Sequence, residues 1–109
     1  MNPRRVAKQL IAYKLMTQRK DGTLGPLFIN RPQRIVLGTT YEAEAHRTKG
    51  YAYRPGWHCC PLPEAPHLKN KEGRVWVEVE VEDWTVEYRP PSQGGKWFLA
   101  NKMTPVRIL

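Results

Sequence analysis

Apolar and polar side chains alternate most regularly in Arg74-Val-Trp-Val-Glu-Val-Glu-Val-Glu82. Val75, Val77, Val79 and Val81 fall on one side of an extended chain, and Trp76, Glu78, Glu80 and Glu82 on the other. Strict period-2 alternation of this length predicts a half-buried antiparallel strand. The phase then changes. Trp84, Val86 and Tyr88 share parity with the glutamates, so a bulge or turn at Glu82-Asp83 is needed to keep one inside face.

Weaker patterns fill in the rest. Leu10–Thr17 reads as a first strand, with Tyr13, Leu15 and Thr17 on a shared face. Arg19–Pro26 is a turn whose Asp21-Gly22 step supplies the positive φ of a tight reversal. Leu27–Asn30 is the expected return strand, broken by Pro32. Arg34–Leu37 is a short third strand ended by Gly38. Tyr41–His46 fits helix or strand and is too short to stand alone. Glu64–Leu68 predicts a helical turn that Pro66 keeps short. Lys96–Met103 is ambiguous between helix and strand. Pro105–Leu109 closes the chain as an edge strand with Val106 and Ile108 inward. Residues 2–9 fit a short helix or a flexible basic arm. The predicted architecture is α+β: a small, mostly antiparallel curved sheet or partly open barrel with one or two short helices.

Composition bounds this picture. The chain has 109 residues, which fits a single domain able to bury a core without disulfides. No apolar run approaches bilayer length, and no apolar segment follows the charged start, so neither a membrane span nor a secretory signal is expected. A cytoplasmic setting is the default expectation. The net charge of +8 is unevenly spread. Residues 1–40 carry eight Lys and Arg (Arg4, Arg5, Lys8, Lys14, Arg19, Lys20, Arg31, Arg34) against Asp21, a balance of +7. Residues 75–91 carry five acids against Arg89, a balance of −4. This segregation suits an acidic partner for the N-terminal half, nucleic acid or a nucleoprotein first. The eight cations form a candidate phosphate-contacting stripe, which Lys96 and Lys102 extend. Tyr13 and Phe28 are candidates for base stacking. No named DNA-reading motif is present, so such contact would be backbone-led and salt-sensitive. The alternative is a solvated basic face.

Candidate chemistry concentrates in Tyr51–His67. All three histidines lie between His46 and His67, and both cysteines (Cys59, Cys60) lie there too. Four of the ten prolines make the stretch a stiff, irregular loop. His46, His58, Cys59, Cys60 and His67 are the candidate zinc ligands, since imidazole and thiolate suit that ion, although no standard finger has this spacing. The alternative is a buried thiol acting as a small hydrophobe, with histidines satisfying backbone groups. A thiol nucleophile with a histidine base would need His58 and its neighbours to converge, and adjacent side chains on an extended segment point apart. Neighbouring cysteines are also poorly placed for a disulfide. Tyr51, Tyr53, Arg54, Trp57, His58 and His67 form a candidate ligand pocket, with aromatic rings for stacking and a guanidinium for phosphate. Equally, Trp57 reads as core and Arg54 as a surface cation.

Arg54-Pro-Gly-Trp-His58, Pro63-Glu-Ala65 and the Val75–Val81 strand together resemble the middle of ADP-ribosyltransferase-like domains. The resemblance implies a split β-sandwich that clamps NAD, with Gly56, Trp57 and His58 lining a nicotinamide pocket and Arg54 near phosphate. The acidic catalytic motif of that family is not evident near the end of the chain, and Glu87 or Gln93 would have to fill its role. A broader resemblance spans nearly the whole chain. Tyr13–Met16, Asp21-Gly22, Gly25–Arg31, Arg54–His58, Ala65–Leu68 and Ser92–Ala100 resemble small uncharacterised proteins of phages, prophages and gut-bacterial mobile elements. That resemblance implies a phage-type accessory protein, many of which act by binding host machinery such as CRISPR nucleases, and it points to no particular activity. Three expectations follow: a phage-type binding module, an NAD- or nucleotide-binding protein, and a small structural zinc protein.

Overall fold

The computed structural model describes residues 9–27, 32–43, 56–68 and 71–109. They form a curled, half-barrel sheet of antiparallel strands with almost no helix. The strands are β1 (Leu10–Gln18), β2 (Leu24–Gly25), β3 (Tyr41–Glu42), β4 (Trp57–Cys59), β5 (Arg74–Tyr88) and β6 (Lys96–Ile108). Their order is β2-β1-β5-β6-β3, with β4 also paired to β6. The helical turn expected at 64–68 is not helical, and the 3-10 turn Pro91–Gln93 is the only helical element among the described residues.

β5 is the centre, and its valines explain why. Val77, Val79 and Val81 are fully buried and lie opposite Lys14, Ala12 and Leu10 of β1. Residues directly opposite on an antiparallel pair share a face. The inward set of β1 is therefore Leu10, Ala12, Lys14 and Met16. The Tyr13, Leu15 and Thr17 set lies on the other face, where Leu15 is buried opposite Trp76. Met103, Ala100 and Phe98 of β6, Trp57 and Cys59 of β4, and Leu24 and Ile35 complete this inner core.

The phase change in β5 falls where the pattern requires it. Asp83 adopts φ 54°, and Val81 and Trp84 both pack on the inner core although their parity differs. Aspartate tolerates this left-handed conformation better than most residues. β6 switches in step, from Met103 to Ala100, and the pairing runs unbroken through Glu82–Lys102 and Trp84–Ala100. The shift in register lies elsewhere, between Glu78 and Val79. Glu78 faces Arg107 and Val79 faces Pro105, which leaves Val106 as the extra residue. Val106 is accordingly exposed rather than inward, and Pro105, lacking an N–H, sits at a bulge as proline in a strand must.

Two further expectations are corrected. Lys96–Met103 and Pro105–Leu109 are not separate elements but one strand, and that strand lies between β5 and β3 rather than at an edge. The expected strand at 34–37 is reduced to a bridge between Ile35 and Leu24. The return strand expected at 27–30 lies mostly outside the described residues. The segment that pairs with β1 there is Leu24–Gly25.

Two closures curl the sheet. Tyr13 and Cys60 exchange backbone hydrogen bonds of 2.7 and 2.8 Å, which joins the end of β4 to β1. On the other side Leu24 and Ile35 exchange bonds, and the Gly38 N–H donates to the Pro105 carbonyl at 2.8 Å. Among the described residues no helix is long and apolar enough to cross a membrane.

Candidate functional site

The centre of the proline-rich stretch is a strand. Trp57, His58 and Cys59 pair with Ala100, Leu99 and Phe98. An extended chain sends successive side chains to opposite faces. Trp57 and Cys59 therefore enter the inner core, while Cys60 joins a smaller outer cluster with Ala65, Trp97, Leu68 and Trp76. Gly56 makes the close approach possible: it has φ 121°, and a Cβ there would lie 3.3 Å from the Ala100 carbonyl oxygen.

This geometry decides most of the metal question. Cys59 and Cys60 belong to different clusters, so their sulfurs do not meet at one ion. Among the described residues no three His, Cys, Asp or Glu side chains converge as metal ligands. His46 lies outside the described residues. The thiols are also unsuited to nucleophilic attack. Burial pushes Cys59 up to about 11, against a weaker pull from Lys14. Burial first, then Cys59, pushes Cys60 up to about 12. Both are thiols at neutral pH, and the thiolate is the reactive form.

Of the candidate ligand residues, Tyr51, Tyr53 and Arg54 lie outside the described residues. Trp57 packs in the core and its indole N–H donates to the Tyr41 carbonyl at 3.1 Å. His58 and His67 do come to one place, a cluster built on Arg89. Arg89 Nη2 is 2.8 Å from His58 Nδ1, and Arg89 Nε donates to Glu87 Oε2 at 2.8 Å. The guanidinium lies 4.4 Å from the Trp97 ring centroid, and its side chain is only 8% exposed. Stacking on an indole suits a guanidinium, whose weak hydration lowers the cost of burial. The Trp97 indole N–H donates to the Gln93 carbonyl at 2.5 Å, and His67 meets the same ring edge-on at 5.6 Å. Partial burial, with a smaller contribution from Arg89, holds His67 below the ordinary imidazole range.

Arg89, Glu87 and Trp97 were not predicted as a unit. Arg89 reads in the sequence as the one cation of an acidic stretch, and its partner His58 is 31 residues away. No spacing rule links them. The link is made by β6, which pairs with both β4 and β5.

The candidate basic stripe is only partly a surface. Arg4, Arg5, Lys8 and Arg31 lie outside the described residues. Lys14 is corrected outright: it shares the inner face with the valines, and its ammonium donates to the His58 carbonyl at 2.9 Å. The same ammonium lies 5.9 Å from the Trp57 ring. Burial pushes Lys14 below the ordinary lysine range, and Arg89 adds to this, while Cys59 and Cys60 oppose it. Arg19 is also committed within the fold. Its guanidinium donates to the Leu24 carbonyl at 2.6 Å and the Gln33 carbonyl at 3.0 Å. It occupies the space that a Cβ at Gly25 would need, 2.5 Å from Nη2. Lys20 and Arg34 are exposed, and Arg34 pairs with Asp21 at 2.6 Å. Lys102 lies opposite Glu82, and the Lys96 ammonium lies 5.5 Å from the Phe98 ring.

The chain matched no protein-family model, no curated protein and no solved structure.

Proposed function

We propose that the chain is a non-enzymatic binding module of phage or mobile-element type, which contacts nucleic acid or a host nucleoprotein through its basic N-terminal half. The observation that carries this reading is the charge segregation, +7 over residues 1–40 within a net charge of +8. Lys20 and Arg34, exposed at the end of the β1 hairpin, are the described cations of that half free of core packing, and Arg4, Arg5, Lys8 and Arg31 supply the rest. The buried, protonated thiols favour binding over catalysis. A nucleotide pocket in Arg54–His67 has less support, because Trp57 and His58 are both engaged within the fold.

The test is fluorescence anisotropy with labelled single-stranded DNA, duplex DNA and RNA over a salt series. Binding is expected at low ionic strength. Log affinity should fall linearly with log salt, with a slope of roughly one per phosphate contact. The double variant Lys20→Glu with Arg34→Glu should weaken binding and flatten that slope. Absence of binding at low salt to DNA, RNA and nucleoprotein alike would overturn the reading.

A further inference from the structure

The pairing of β1 with β5 ends at Leu10–Val81, and beyond that point β5 and β6 run on together to Tyr88–Lys96. Alternation along this hairpin puts Trp84, Val86 and Tyr88 on the inner face, with Ala100, Phe98 and Lys96 opposite them in turn. The face changes character along its length. Trp84 meets Phe98 edge-on at 5.2 Å and packs against the inner core. Val86 is 38% exposed, and Tyr88, at 79%, is the most exposed large apolar side chain among the described residues. Lys96 is exposed beside Tyr88, and its ammonium lies 5.5 Å from the Phe98 ring centroid.

The end of the hairpin is held from behind. Pro90 and Pro91 fix the backbone entering the turn, and Gly94 and Gly95 take φ 96° and 76° to leave it. The Arg89 N–H donates to the Gly95 carbonyl at 2.8 Å. On the opposite face the Trp97 indole N–H donates to the Gln93 carbonyl, and the Arg89 guanidinium lies over the same indole. Tyr88 and Lys96 are thus presented on a built support, so little freedom is lost when a ligand settles on them.

We infer that Val86, Tyr88 and Lys96 form a stacking platform for the unpaired bases of a single-stranded nucleic acid. The inference rests on the nucleic-acid reading above and adds the element that tells single strands from duplex. Every base has a π face, so an exposed phenol ring stacks on it whatever the sequence. Val86 extends the ring as an apolar floor, and the Lys96 ammonium supplies charge for an adjoining phosphate. Residues 84–103 carry Arg89, Lys96 and Lys102 against Glu87, a balance of +2, so this end of the sheet favours an anion. In a duplex the base faces are already closed by stacking, and single strands leave them open. Tyr13 is a poorer platform, half-buried and opposite the Glu78 carboxylate. A second copy of the chain is a poorer occupant, because a stable protein interface takes about 20–30 residues a side and this strip is far smaller.

Fluorescence anisotropy on the full chain, with labelled oligo(dT), oligo(U) and a duplex of equal length, tests the platform. Tyr88→Ala should weaken single-strand binding about fivefold or more and leave duplex binding within about twofold. Tyr88→Phe keeps the ring and should bind as wild type does. Lys96→Gln should flatten the single-strand salt slope by about 0.7. Ultraviolet cross-linking of the wild type to oligo(dT), mapped by mass spectrometry, should place an adduct on the hairpin, and it decides the matter even if a variant does not fold. Equal losses for duplex and single strand in Tyr88→Ala, no loss in either, or cross-links confined to other segments would overturn the inference. So would a wild-type dimer that Tyr88→Ala converts to monomer while single-strand binding persists. In each of these cases binding that still depends on Lys20 and Arg34 leaves the basic-half reading standing. Conversely, single-strand binding that needs Tyr88 and survives Lys20→Glu with Arg34→Glu supports the platform and removes the basic half.

Discussion

The inner core and the outer cluster are carried by the same strands, often by adjacent residues, yet they differ in chemistry. The inner core is mostly aliphatic: three fully buried valines, Ala12, Met16, Leu24, Ile35, Ala100 and Met103 surround Trp57, Phe98 and Cys59, with Lys14 reaching out to a backbone carbonyl. The outer cluster has only Cys60, Ala65 and Trp97 as buried members, and it is bordered by Arg89, His58, Glu87 and His67. The inner core excludes water by close packing of groups that have no other use. In the outer cluster a guanidinium, an indole and an imidazole satisfy one another. Stability is expected to reside mainly in the first, and responsiveness to pH in the second.

The largest effect that tests this division is Val79→Asp. A carboxylate in this fully buried position would be stripped of water among apolar neighbours, and a loss of about 5 kcal/mol or more is expected, enough to abolish cooperative folding. Its neighbour across the strand, Glu80→Gln, should shift stability by no more than ~0.5 kcal/mol. Urea unfolding followed by circular dichroism compares the two. Similar effects would mean that the faces are not distinct.

Trp97→Ala comes next. It removes the surface on which Arg89 and His67 rest and should cost about 3–5 kcal/mol if the outer cluster unfolds with the inner core. A much smaller cost, with exchange increased only at 56–68 and 89–97, would show that the outer cluster opens on its own.

The smallest effect separates the two sulfurs. A thiol whose folded pKa is raised contributes stability that is intact below its ordinary value and is lost as pH rises through the folded value. For Cys59, raised from 9.0 to about 11, the loss above pH 11 is on the order of 2–3 kcal/mol. Lys14, with its pKa lowered, works in the opposite sense, so the thiol contribution is read from Cys59→Ala and Cys60→Ala against wild type. The inner sulfur is expected to give the cleaner alkaline transition, because Cys60 is less deeply enclosed.

These comparisons also show where the sequence was informative. The period-2 run of valine and glutamate placed the centre of the sheet and its inside face, because alternation is a direct consequence of strand geometry. The mixed run Leu10–Thr17 located a strand but not its inner face, since both faces of β1 are buried: Met16 on one side, Leu15 on the other. Pro105 marked a break in the pattern, whereas the chain passes it as a bulge. The strand within Tyr51–His67 was hidden by its prolines, all of which flank Trp57–Cys59 rather than interrupt it. The Arg89–His58 contact was illegible because it depends on which strands become neighbours, and no local pattern records that.

The left-handed Asp83 carries a consequence for how this chain tolerates change in length. It lets a strand of 15 residues behave as two shorter strands of opposite parity, sharing one partner that switches in the same place. A single-residue deletion at Asp83 would remove the switch from one strand and leave it in the other. Trp84 and Val86 would stay in phase with Val81 along β5, but each would slip by one place against β6, setting Trp84 opposite Asn101 and Thr85 opposite the buried Ala100. Substitutions around Asp83 are therefore expected to be far better tolerated than insertions or deletions, although the residue sits in the middle of a ladder whose pairing looks uniform.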